Sequence, residues 1–441
     1  VTKQDSLTNI SISKPLTPDQ KYNFASCLTD SAGWTFGMAF FSTATIVPAF
    51  LSKLGAGNIL IGVLPALITL GYNAPGIFVA AHISRMSRAR PWLFPTAIME
   101  RIPLLLMGLA AMFVRSHSEL LWMFLALFAV HAVLLGLNQP AYWVVVGKSV
   151  PKLWRGRLFG FAGLVGGICS FAVLPITRRF LITSGHELIR GFASCFIVGS
   201  IIEFISVMPL AFVREPDTVD GEDAPYATLN RAFLRDIWGT SPGFRRFILG
   251  QALFSVWLIA APFYLLDGIK RLHVGGAEIG LYTAIAAVVA AFGSSLCGLL
   301  SDRRGNRLVL LITGACGCAA SLYALVVGSP SLLTVVFALS AFAGAGAGIA
   351  GYNITLEYAP TFRQISHYTA FYNLTMAPIR AIALIAGGVI SQSFNFAPLF
   401  WISAIAAALS VALTWTIKEP RHSKAAEIII DPVDEETECT V

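Results

Sequence analysis

Charge is what this 441-residue chain has least of. Asp, Glu, Lys and Arg make up 12% of it, where a soluble domain carries roughly 25%. So little charge cannot clothe a water-facing globule, and it speaks equally against disordered, collagenous and nucleic-acid-binding classes. Cysteine is sparse too. Of seven cysteines, Cys169, Cys195, Cys297, Cys316 and Cys318 lie inside apolar runs, where the thiol acts as a small hydrophobe rather than as part of a disulfide framework. Cys316 and Cys318, two apart on a helix, face different ways and suit a metal poorly; neither metal nor cofactor is expected. There is no G-x-x-x-x-G-K-[ST] loop to cradle nucleotide phosphates, which argues against ATP-driven work. His82, His117, His131 and His367 are scattered rather than clustered at one interface, so a membrane-embedded enzyme is disfavoured. The linker and tail are too short for the signalling module a transport-silent sensor would need.

What is present is apolar: 56% hydrophobic residues and a mean hydropathy of +0.71. A bilayer core takes about 20 such residues per helix. By that ruler the chain holds twelve spans, at 23–50, 59–83, 91–114, 119–147, 157–180, 188–213, 243–269, 277–300, 308–328, 331–358, 364–391 and 394–417. About twenty polar residues precede the first run, which is too long for a signal-peptide core, so cleavage is not expected. The connector from Arg214 to Pro242 carries Asp217, Asp220, Glu222 and Asp223 and divides the spans six and six. The expected organisation is a tail at 1–22, a bundle at 23–213, a linker at 214–242, a second bundle at 243–417 and a tail at 418–441, acidic from Glu427 to Glu438 and expected to be disordered. Of 31 lysines and arginines, 22 fall on the side of the tails and linker, 7 on the other, and Arg101 and Arg380 lie inside spans. That bias predicts both termini in the cytoplasm of an inner (plasma) membrane. It also accounts for the net charge of +7 without a nucleic-acid partner.

The halves repeat. A shift of 218 residues lays Arg271-Leu272 on Lys53-Leu54, Ile279-Gly280 on Ile61-Gly62 and Asp302-Arg303 on Ser84-Arg85, and Lys418-Glu419-Pro420 answers Arg214-Glu215-Pro216. Paired six-helix units suggest a site between them near the midplane. The segment Gly298-Leu-Leu-Ser-Asp302-Arg303-Arg-Gly305-Asn-Arg307 resembles the loop signature of the major facilitator superfamily, G-x-x-x-D-R-x-G-[RK]-[RK], with Asn306 the one departure. It falls between spans eight and nine, and the likeness extends over about residues 20–420. The resemblance implies an all-α fold of two pseudo-symmetric six-helix bundles, a bacterial-type carrier, spans one, four, seven and ten lining a cavity, and a clasp in which Asp302 holds the cytoplasmic side closed. The first-half copy keeps Arg85 but has Ala80, Ser84 and Ser87 in place of the glycines and aspartate; Ser84 is left to hydrogen-bond, and Arg85, Arg88 and Arg90 also serve topology.

Ionisable groups inside spans are costly and therefore candidates for function. Asp30 in span one reads as a protonatable coupling carboxylate or as a rim residue paired with arginine. Glu100 and Arg101 precede Pro103, which is expected to kink span three. Adjacent on a helix, they point about 100° apart, so each is expected to find a different partner; Asp30 with Arg101 would lock spans one and three. Arg380, following Pro378 in span eleven, offers a rigid fork for an anion or snorkels outward. His131 and Asn138 share a face of span four, beside Gln139. Glu203, isolated in span six, is expected to pair with a neighbouring span or to be a second protonation site, and Glu357 is expected to pair with Arg363. Trp34, Gln251, Trp257, Tyr264, Tyr352, Asn353, Tyr372 and Asn373 add aromatic and amide candidates. Gly344 and Gly348 suggest a ridge for close helix approach, and Gly163, Gly166 and Gly167 faintly echo the glycine motif of antiporters.

The expected activity is secondary transport of a small solute, anionic or amphipathic, coupled to protons through Asp30 or Glu100. Exchange or facilitated passage of anions is the alternative. The chain is expected to work as a monomer in lipid and to have no enzymatic activity.

Overall fold

The computed structural model describes residues 16–181, 186–216, 235, 238–239, 242–358 and 365–419. The acidic stretch of the linker, Arg363 and the acidic tail lie outside these. The described residues form helices joined by short turns, and the chain crosses from one end of the molecule to the other twelve times. Span one is Pro18–Ala39 with Ile46–Lys53, span two Asn58–Asn73 with Gly76–Ser84, span three Arg90–Phe113, and span four His117–Ser149. Span five is Lys152–Cys169 with Val173–Phe180, and span six His186–Val207. In the second half, span seven is Pro242–Trp257 with Ala261–Arg271, span eight Gly276–Arg304, span nine Asn306–Val326, span ten Pro330–Glu357, span eleven Ile365–Phe394 and span twelve Phe396–Trp415. Thr17, Arg90, Arg304 and Thr416 mark the proximal end; Lys53, Phe113, Arg271 and Phe394 mark the distal end.

Eleven helices among the described residues are long and apolar enough to cross a membrane. The first span is not one of them, because its helix breaks at residues 40–45. The continuous run expected from hydropathy is thus interrupted, and proline supplies the reason. Pro48 has no N–H for the carbonyl four residues back, but at the third position of a new helix none is needed. The same device recurs. Pro75 separates the two pieces of span two, Pro175 follows the 3-10 turn Ser170–Ala172 in span five, and Pro262 follows Leu258–Ala260 in span seven. Span three, by contrast, remains one helix through Pro95 and Pro103.

Helix starts are fixed locally. Thr17 and Gln20 form a reciprocal capping box, with bonds of 3.2 and 3.1 Å, and Pro18 occupies the first position. Ser116 and Ser329 cap spans four and ten. Span three is capped from afar: Glu215 accepts from the Ala89 and Arg90 N–H groups at 2.9 and 2.8 Å. Glu419 does the same for Asn306 and Arg307 of span nine, at 3.2 and 3.0 Å. The repeated Arg/Lys-Glu-Pro at the end of each half is therefore a matched pair of carboxylate caps on helix N-termini. Gly305 makes the second possible, since its φ is +92° and a Cβ would lie 2.5 Å from the Glu419 carboxyl carbon.

Lipid gives no hydrophobic drive between helices, so small residues and polar bonds hold them. Along the distal seam a Cβ on Gly62 would lie 2.4 Å from the Leu384 carbonyl oxygen, and one on Gly388 2.7 Å from that of Asn58. Gly280 sits against Thr177 and Gly276 against the Leu181 backbone. Spans two and eleven, and five and eight, thus join the halves, with Gly62 and Gly280 at matching repeat positions. Both hydrogen bonds between the halves among the described residues are distal as well: Thr45 with Thr283 at 2.6 Å and Ile59 N–H to Gln392 at 3.3 Å. The ridge expected at Gly344 and Gly348 carries no such contact, with nothing within 4 Å of a Cβ at either. Gly346 is the residue that packs, against Thr313 and Cys297, because it faces spans nine and eight rather than the opening.

Candidate functional site

Spans one, three, four and six bring four charged side chains together inside the first bundle. Arg101, 2% exposed, donates to Asp30 at 2.9 Å and to Glu100 at 2.8 Å, and its Nε lies 3.4 Å from Glu203. It also donates to the backbone carbonyls of Ala97 and Glu203, at 2.8 and 3.0 Å. The indole of Trp34 lies 5.6 Å from the guanidinium. One expectation is corrected here. Glu100 and Arg101 do bond to each other, because their long side chains curl back over the 100° between their Cβ directions. Glu203, alone in its own span, does pair with a neighbouring one; helix packing brings span six against span one at Gly37, where a Cβ would meet its carboxylate at 2.7 Å.

Span four completes the cluster. His131 Nδ1 lies 2.7 Å from the Glu100 carbonyl oxygen, so the neutral ring donates there and its Nε2 faces no partner among the described residues. Asn138 donates to Glu100 Oε2 at 3.2 Å and accepts from Thr96 at 2.9 Å. Gln139 turns the other way, accepting from Tyr72 and Trp143 at 2.9 and 3.1 Å. One guanidinium cannot neutralise three ionised carboxylates. With all three charged, two negative charges would stand uncompensated away from water, which costs several kcal/mol or more. Charge balance therefore calls for two protons shared among Asp30, Glu100 and Glu203.

The second bundle holds a different arrangement. Arg380 donates to Ser255 Oγ and Tyr372 Oη, both at 3.3 Å, and has no carboxylate partner among the described residues. Tyr372 donates onward to Gln251 at 3.4 Å, and Tyr352 to Asn373 at 3.0 Å. Three other candidates serve elsewhere. Trp257 and Tyr264, each 1% exposed, turn into the bundle and bond Ser321 at 3.1 and 2.8 Å. Asn353 bonds Asn306 and Ser301 at the proximal rim, at 3.2 and 3.4 Å.

Between the bundles, under the Thr45–Thr283 bond, lies a cavity of about 500 Å³. The break in span one supplies Ser42, Thr43 and Ala44 to it, span five Gly163, and span eight Thr283, Ala287 and Ser294. Its walls are hydroxyls and apolar groups, from alanines up to Met38, Phe41 and Ile68, with no charge. Interrupted helices commonly line solute paths, where freed backbone groups meet a cavity instead of lipid. Hydropathy alone points to span one but not to its break, nor to Thr45, Ser255 or Tyr72.

At the proximal rim Asp302 and Arg303 are exposed, and Asp302 has no partner among the described residues. Arg85 is exposed as well, Gly298 has open space around it, and the Ser84 side chain lies outside the description. No clasp between the halves is formed there among the described residues. Arg307 instead donates to the Trp415 carbonyl at 2.7 Å. Asn306, the one departure from the loop signature, donates to Glu357 at 2.7 Å.

Residues 247–431 match the sequence profile described as Major Facilitator Superfamily. The match covers the second half of the chain, which resembles that superfamily there. No curated protein matches the chain by sequence. Among solved structures, a bacterial homolog of the human lysosomal transporter Spinster, inward-facing and unoccupied, is 16% identical with a TM-score of 0.65, covering 93% of this chain and all of its own. A D-xylose-proton symporter is 17% identical at a TM-score of 0.62, covering 91% and 98%. The xylose transporter XylE from E. coli, inward open, is 15% identical at 0.67, covering 92% and 98%. At these identities the likeness establishes the fold. The chain is thus a multi-pass membrane protein with the major facilitator fold.

Proposed function

We propose that this major facilitator protein is a proton-coupled secondary transporter of a small organic solute, working by alternating access. The observation that carries the reading is the buried cluster of three carboxyls around Arg101. Asp30, on the span that also breaks beside the cavity, is the group that gains and loses the coupling proton. Protonated, it releases Arg101 to Glu100 and Glu203 and loosens span one from span three. The bias of basic residues toward the proximal end supports placing that end in the cytoplasm. On that orientation the distal seam closes the outer side and the described conformer is open inward. A D-xylose-proton symporter of the same fold lends support to coupling by protons, although its solute does not carry over.

The test is uptake into proteoliposomes from a panel of small organic solutes, with and without an imposed pH gradient. Asp30→Asn should abolish the response to the gradient while leaving exchange of solute across the membrane intact. Uptake in the wild-type protein that ignores the gradient would favour anion exchange or facilitated passage instead.

A further inference from the structure

The two intramembrane arginines differ in one respect. Arg101 spends its donors on carboxylates and carbonyls, whereas Arg380 makes two long bonds to neutral hydroxyls, at 3.3 Å each. A guanidinium has five N–H donors, so most of the fork is unused by the described residues, and its charge is unbalanced inside a span, where that is costly. Its surroundings run on to span ten. Tyr372 carries the Arg380 contact, and its ring lies 5.5 Å from that of Tyr352, a residue 40% exposed on span ten. One and two turns before Tyr352 on the same helix face, Gly348 and Gly344 leave open space.

We propose that Arg380, Ser255 and Tyr372 form a cradle for the carboxylate of a ring-bearing organic monoanion, whose body lies along the Tyr352–Gly348 face of span ten. A single arginine with two neutral hydroxyls balances one negative charge. A phosphate dianion would leave a second charge uncompensated in a poorly solvated site. The paired tyrosine rings, 5.5 Å apart, and the missing side chains at 344 and 348 favour a ring-bearing body over a compact ion. The proposal rests on the transporter reading, because it takes the opening between the bundles as the solute's path.

Binding to the purified full-length protein in lipid nanodiscs tests it, with benzoate as the probe. Comparators are benzamide, which has the shape without the charge, acetate, which has the charge without the ring, and inorganic phosphate. Benzoate should bind more tightly than all three. Arg380→Gln should weaken benzoate roughly 10- to 100-fold and leave benzamide unchanged, and Arg380→Lys should recover part of the loss. Gly348→Leu should weaken benzoate without affecting acetate, which keeps the proposal testable should the arginine variants not fold. Equal affinity for benzoate and benzamide, unchanged benzoate binding by Arg380→Gln, or no benzoate binding to the wild-type protein at millimolar concentration would overturn it. Arg380-dependent binding alongside uptake that ignores a pH gradient would refute proton coupling and uphold the cradle; pH-driven uptake with no dependence on Arg380 would do the reverse.

Discussion

Adding one methyl group at Gly62 should open the distal seam. An alanine Cβ there would lie 2.4 Å from the Leu384 carbonyl oxygen, 3.3 Å from Gly388 N and 3.4 Å from Gly388 Cα. All three are backbone atoms, so no rotamer change relieves the contact. Non-bonded carbon settles at about 3.5 Å or beyond, which requires spans two and eleven to part by about 1 Å. Overpacking of this kind costs about 1–3 kcal/mol. The cost falls only on the conformer in which the seam is closed, so the conformational equilibrium shifts by roughly 5- to 150-fold toward the distally open form. Ser42, in the broken segment of span one beside the Thr45–Thr283 bond, reports the change. In a cysteine-free background, Ser42→Cys should react slowly with a membrane-impermeant maleimide added from the distal side. Adding Gly62→Ala should speed the reaction, and Gly388→Ala, whose Cβ would lie 2.7 Å from the Asn58 carbonyl, should speed it further. Gly298→Ala, with nothing within 4 Å, is the control and should leave it alone. An unchanged rate in Gly62→Ala, with an unchanged melting temperature, would refute the reasoning.

Two further outcomes follow from the same geometry. Arg101→Met leaves three buried carboxyls without their cation and should destabilise the protein by about 3–5 kcal/mol, read as a loss of thermal stability in detergent; adding Asp30→Asn should restore part of it, since the two share one bond network. Glu419→Gln weakens the cap on span nine and should cost about 1 kcal/mol, with faster amide exchange confined to Asn306 and Arg307. Glu215→Gln should do the same at Ala89 and Arg90, and exchange that spreads through the bundle in either variant would show that the carboxylate does more than cap.

Much of this protein was written in periodic features that survive without neighbours. Runs of apolar residues set the twelve spans, and the 218-residue repeat with the Gly298–Arg307 loop pointed to the superfamily, whereas the breaks in spans one, two, five and seven went unread because other prolines, such as Pro103 and Pro140, sit inside unbroken helices. The separate likeness of the two half-ends also set Glu215 opposite Glu419, though not what either touches. The pair Asp30–Arg101 could be named because few charges lie inside spans, so few partners exist.

Residue order alone laid down the path of the chain and the short list of polar groups within it, because the bilayer penalises charge and unpaired backbone wherever they fall along the chain. Tertiary packing decided which members of that list meet. It turned Glu203 toward Arg101, sent Trp257 and Tyr264 into the second bundle and left Arg380 without a carboxylate among the described residues. Those outcomes depend on helix rotation and close approach at glycines such as Gly37 and Gly62, which are set by contacts between residues tens to hundreds of positions apart. No local pattern carries that information.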